Sequence, residues 1–355
     1  MWYNIRRKER ETPGKDTERA VYDFSSSPLL DRRSPGERRT RVGTDLLILF
    51  GITLFATLIV GYIPGTVAVM IFGFNAFSAM LGDPAARSAG FVFDSEEFAE
   101  LIGTISESEG YRIAEAFGGA WTTALALFVL LAVQRRSLAT AGIERRGAVK
   151  RCALGFLLGA ALCSATVFVS CLSHASTFEG FSGGGAPLYV ILTLFGYFIQ
   201  ATAEELLIHG FFLTSNVRRF GWLQSVLLSA LLFTFLMHPP YATTKGVTLL
   251  SLLNVFLFAV FLGLFVIRTG SVFGAAAFHA AWSFTEGQIF GCPVKGIPSL
   301  SPFGLFTVTS DAGRGVTNGG AFGPEGGLAA TMILMLALTA VLFFPSFKKK
   351  DETPR

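Results

Sequence analysis

What constrains this chain most is that its apolar residues come in runs long enough to cross a lipid bilayer, and that about eight such runs follow one another. A helix rises about 1.5 Å per residue and a hydrocarbon core is about 30 Å thick, so about 20 consecutive apolar residues make one crossing. The runs lie near 45–73, 113–134, 152–174, 187–213, 222–239, 246–267, 271–290 and 327–346. A chain that is 51% hydrophobic and 15% charged carries more apolar surface than one water-soluble core of 355 residues needs. The expected fold is all-α: a polytopic integral membrane helical bundle of about eight transmembrane helices, in a multi-pass protein of the cell membrane.

The basic residues give that bundle a direction. Arg6, Arg7, Lys8, Arg32, Arg33, Arg38, Arg39 and Arg41 precede the first run, and Arg135, Arg136, Arg145, Arg146, Lys150 and Arg151 fill the second connection. Arg218, Arg219, Arg268 and Lys348 to Lys350 continue the alternation, while the connections between them are acidic or neutral. Short connections rich in Lys and Arg stay on the cytoplasmic side, which places both termini there, as an even number of spans requires. Residues 1–43 read as a disordered cytoplasmic arm with no cleaved signal, because no apolar run precedes Leu46. Residues 44–150 read as N-terminal transmembrane helices and connections, 151–347 as the functional core, and 348–355 as a basic tail. Acidic residues interleave with the basic ones of the arm, which reads as a solvated tail; the expected partner of the protein is membrane lipid, with no nucleic acid. Cys152, Cys163, Cys171 and Cys292 show no CxxC spacing and read as packing residues.

Against this apolar background the stretch QATAEELLIHGFF, residues 200–212, places Glu204, Glu205 and His209 within one run. A charged side chain in a membrane helix costs about 2.5–3.5 kcal/mol even on mild scales. Residues four apart share a helix face, so Glu205 and His209 fall on one stripe and Glu204 on a flanking one. His238 closes a later run in LLFTFLMHPP, and His279 lies well inside another, with Ser283 four residues on. One carboxylate with two imidazoles can activate water, as a general base or through a bound metal. Zinc accepts donors of the kind His238, His279 and Glu204 offer, although HExxH is absent. A structural hydrogen-bonding pair and a proton relay in a carrier fit the same residues.

The stretches EELLIHG, LLFTFLMHPP and FHAAWSFTEGQIFGCPVKG together resemble the three motifs of the CPBP family of intramembrane metalloproteases, which includes the CAAX prenyl endopeptidases and bacteriocin-processing proteins. The resemblance spans residues 150–346. It implies an intramembrane endopeptidase acting on a membrane-associated protein or peptide, with CAAX-type processing among its forms. It further implies that Glu204 activates the water, that Glu205 supports it, that His238 shares the water or a metal, and that His279 and Ser283 bind the metal or stabilise the oxyanion. Three positions depart from the family pattern: His209 replaces an arginine, Thr234 a phenylalanine and Ser283 an asparagine. A histidine is not a permanent cation, and a serine hydroxyl reaches less far than an asparagine amide. Those departures keep two further readings open, a catalytically inactive membrane scaffold or immunity protein, and a proton-coupled transporter.

Overall fold

The computed structural model describes residues 22–82, 95–183, 185, 187–237, 248–297 and 304–343. His238, the first 21 residues of the arm and the basic tail lie outside the described residues. The protein is mostly helical with little sheet, and five of its helices are long and apolar enough to cross a membrane.

The first long helix, α1, runs Val42–Gly82, followed by α2 at Ser95–Glu107 and α3 at Glu109–Phe128. After a buried polar turn comes α4, Ala148–Leu172. The next two runs meet in a single apolar stretch, Pro187–Leu236. It comprises α5, Pro187–Glu205, a π-helical segment Leu206–Leu213, α6, Thr214–Leu232, and a second π-helical segment Phe233–Met237. The two expected crossings are separated at Gly221, whose φ of 81° and ψ of 170° break the helix. Only glycine adopts that backbone without strain. Gly221→Ala is expected to cost about 1–3 kcal/mol, read as a lower thermal midpoint of the detergent-solubilised protein.

Helix α7, Leu249–Thr269, opens on a capping box formed by Thr248 and Ser251 and closes on the left-handed Gly270. Helix α8, Val272–Phe284, continues as a π-helical turn, Thr285–Ile289, and α9 is Leu328–Phe343. Helix α8 with its π-helical turn covers 272–289, against the expected run 271–290, and α9 reaches the last described residue, 343. The all-α expectation needs one correction. Strand β1, Ser176–Phe181, pairs antiparallel with β2, Phe306–Ser310, Ser176 facing Ser310 and Phe181 facing Phe306. Its exposed aromatics pack on each other, Phe178 against Phe306 at 5.3 Å.

Apolar side chains face outward. Phe50, Met70 and Phe74 on α1, Phe168 on α4, Phe195 on α5 and Leu336 on α9 are all exposed, a pattern suited to lipid. The interior is built around α8, in which every residue from Gly274 to Phe284 is buried. What brings α4 against it is the absence of two side chains. A Cβ on Gly155 would stand 2.0 Å from the Gly274 carbonyl oxygen, and one on Gly159 would stand 2.2 Å from that of Phe278. Small residues four apart let two membrane helices touch backbone to backbone.

Residues 22–41, expected as part of a disordered arm, are instead packed. Phe24 and Leu29 are buried, Phe24 stacks on Trp222 at 4.9 Å, and the Ser27 hydroxyl donates to the Ile267 carbonyl at 2.5 Å. Arg218 pairs with Glu37 at 2.6 Å and Arg219 with Asp45 at 2.9 Å. Arg136 is also internal, donating to Thr214, Ser215 and Thr140, and burial lowers its guanidinium to about 10. Part of the basic residue set that signals membrane orientation thus ties the connections together at one end of the bundle.

Candidate functional site

Three elements deliver the polar groups. Glu204 and Glu205 end α5, His209 lies in the π-helical segment that follows, and His279 stands in the middle of α8. π-helical turns recur at functional sites because they re-aim side chains that a regular helix would spread around its axis. Glu205 is fully buried and accepts from both imidazoles, from His209 Nδ1 at 2.5 Å on Oε2 and from His279 Nδ1 at 3.0 Å on Oε1. Because a carboxylate only accepts, each ring carries its proton on Nδ1 and turns the lone pair of Nε2 away from Glu205.

The two Nε2 atoms have different surroundings. On His209 it has no hydrogen-bond partner among the described residues and lies against Gly263, where a Cβ would come within 3.4 Å. On His279 it lies 3.9 Å from Glu204 Oε2 and accepts from the ammonium of Lys295 at 3.0 Å. Glu204 is the more accessible of the two glutamates, and its Oε1 accepts from the Gln200 amide at 3.2 Å. The site thus holds one glutamate bound to two imidazoles and another at its edge.

Lys295 is the group that sequence reasoning missed. It comes from the connection after α8, where Gly291, Lys295 and Gly296 all have positive φ, 64°, 52° and 75°. A non-glycine residue in that conformation is held there by its neighbours. Here the Lys295 N–H donates to Glu325 Oε1 at 2.6 Å, the Glu325 N–H donates to Glu286 Oε1 at 3.0 Å, and the Gly296 N–H reaches the Phe322 carbonyl at 2.7 Å. Burial pushes the Glu325 carboxyl up, against the opposing pull of the Lys295 cation. Gly323 makes the crossing of the two connections possible, since a Cβ there would sit 2.1 Å from the Pro293 carbonyl. Gly/Pro turn signals in GCPVKGIP and GPEGG were the available clue.

Aromatic rings close the chamber. Phe233 lies 5.7 Å from the His279 ring and 6.2 Å from that of His209, and Phe258 meets His279 edge-on at 5.2 Å. The Lys295 ammonium stands 5.7 Å and 6.0 Å from the centres of the same two rings. Phe233 stands next to Thr234, the position at which the second motif has its phenylalanine. Thr234 returns its hydroxyl to the Ala230 carbonyl at 2.8 Å within its own helix. Ser283 is buried one turn beyond His279 on α8. His238 lies outside the described residues.

The described residues do not fit a metal centre. No group of three or more His, Cys, Asp or Glu among them is arranged to hold an ion. Both nitrogens of His279 are engaged, one by Glu205 and the other by an ammonium. The four cysteines are free thiols, and burial raises that of Cys292.

No curated protein matches the chain. Residues 186–285 match the family model described as Type II CAAX prenyl endopeptidase Rce1-like, a stretch that holds Glu204, Glu205, His209, Phe233 and His279 and stops short of Lys295. That segment is similar to the Rce1-like type II CAAX prenyl endopeptidases, which is consistent with the family that its motifs resemble.

Proposed function

We propose that the protein is an intramembrane endopeptidase that hydrolyses a peptide bond of a membrane-associated protein or peptide, with Glu204 as the general base. The reading is supported above all by one observation: a second glutamate, Glu205, holds two imidazoles while Glu204 stands 3.9 Å from His279 Nε2. A carboxylate already bound by two donors is poorly placed to take a proton from water, and Glu204 is the less buried of the two glutamates.

In the proposed step Glu204 takes a proton from water as its oxygen bonds to the scissile carbonyl carbon. The carbonyl π pair moves onto oxygen, and collapse of that intermediate expels the amine, which takes the proton back from Glu204. Glu205 keeps the His279 ring in the tautomer and orientation that turn Nε2 toward the reacting centre, the role a carboxylate plays beneath any catalytic imidazole. His209, as the second donor to Glu205, does for that carboxylate what the family arginine would do. Phe233 and Phe258 exclude bulk water, which strengthens each charge interaction in the chamber. His238 and Ser283 belong to the proposed site through the family motifs.

The polytopic bundle would sit in the cell membrane with both termini cytoplasmic and its eight apolar runs as the crossings. Two apolar grooves of about 490 and 590 Å³ flank α5 and share Phe198, and they suit the lipid-bound part of a substrate. A prenylated C-terminal CAAX peptide is the first substrate to test. Purified protein in lipid nanodiscs should release its C-terminal tripeptide, detected by mass spectrometry, and His279→Ala should release it far more slowly. Equal release by the variant would remove the protease reading in favour of a scaffold with the same fold.

A further inference from the structure

We infer that Lys295 is the site's resident cation. Its ammonium takes the lone pair of His279 Nε2 in place of a metal ion and turns to the carbonyl oxygen as charge develops there, so that hydrolysis proceeds without a metal. The inference rests on the endopeptidase reading for its chemistry but on independent geometry for its placement.

The placement begins with the backbone. Lys295 adopts a left-handed φ of 52°, and its N–H is fixed by Glu325 from a connection 30 residues further on. That costs conformational energy, and the effect is to drive a four-carbon stem into an interior walled by Phe233 and Phe258. At the end of the stem Nζ is 3.0 Å from His279 Nε2. A metal ion would need the same lone pair, and two positive centres cannot share it. An ammonium has three donors, so one can hold the imidazole while another meets a developing oxyanion. Preorganised donors of this kind are usually the largest single contribution to acyl-transfer catalysis.

The chemistry balances without a co-reactant. Water supplies the oxygen and the proton, Glu204 carries the proton from water to the departing nitrogen, and Lys295 offers only hydrogen bonds and charge. The arrangement also gives a reason for Ser283. Its hydroxyl is a short donor, and a lysine reaching in from the next connection supplies the longer one.

The test has two arms. In the first, metal content is measured after equilibrium dialysis of the full-length protein in detergent against excess zinc, then against buffer. Wild type is expected to retain no stoichiometric zinc. One zinc per wild-type chain that disappears in His279→Ala would overturn the inference. In the second arm, kcat and KM are measured on the prenylated peptide. Lys295→Met is expected to lower kcat about 100- to 1000-fold with KM within about threefold, Lys295→Arg to recover part of the loss, and a chelator to leave wild type unchanged. Loss of activity on chelation, or Lys295→Met at wild-type kcat, would overturn it. Should no peptide be cleaved by any form, the endopeptidase reading fails, while the zinc arm still decides where the lysine sits.

Discussion

Glu204→Gln is expected to lower kcat on a cleavable peptide about 100- to 10,000-fold, the range a positioned general base contributes, with little change in KM or thermal midpoint. The substitution keeps the acceptor for Gln200 and the shape of the side chain while removing the only function the mechanism asks of it. Glu205→Gln should behave differently. Its carboxylate accepts from two imidazoles at once inside a fully buried setting, and an amide has only one acceptor oxygen and brings two donors that point at N–H groups. Leaving buried polar groups unsatisfied costs about 1–3 kcal/mol each. The thermal midpoint should therefore fall along with activity. Two adjacent glutamates with opposite balances between stability and rate would separate the working carboxylate from the supporting one.

The second large effect concerns Gly159. Replacing it with leucine forces a side chain into a space where even a Cβ would lie 2.2 Å from a backbone oxygen of α8. Rigid backbone cannot make room, so α4 and α8 must separate, and His279 moves with α8. Overpacking costs about 1–3 kcal/mol where neighbours can adjust and more where they cannot. A lower thermal midpoint and loss of cleavage should appear together. Gly51→Leu is the matched control. It places the same side chain on α1, where a Cβ meets nothing within 4 Å, and should leave both measurements unchanged.

Some of this was readable in the chain and some was not, for physical reasons. The membrane bundle follows from run length against bilayer thickness, and the Glu205–His209 contact follows from a spacing of four on a helix. His279 stood out because an imidazole inside an apolar helix needs partners, and Glu205 is one. The spacing of Gly155 and Gly159 lies in the sequence, but nothing there names α8 as the helix they approach. Lys295 was hidden because nothing in its own neighbourhood sets its direction. Its side chain enters the bundle only because Gly291, Gly296 and Gly323 allow two connections to cross and Glu325 fixes the lysine backbone from 30 positions away. The packing of residues 22–41 was hidden for a related reason, since Ser27 finds its partner at Ile267 and Glu37 finds Arg218, contacts that composition does not show. The break between the runs 187–213 and 222–239 falls at Gly221, a glycine whose φ is positive.

The central claim is that Glu204 and His279, carried on separate helices, serve one reacting centre, the first as base and the second by holding the Lys295 ammonium beside it. The most direct test is a double-mutant cycle of Glu204→Gln and His279→Ala, with kcat/KM measured for wild type, both single variants and the pair. Groups that act as a unit lose their effect together, so the double variant is expected to be no slower than the worse single variant. Losses that multiply across the cycle would mean that the two side chains work independently, and would contradict the account.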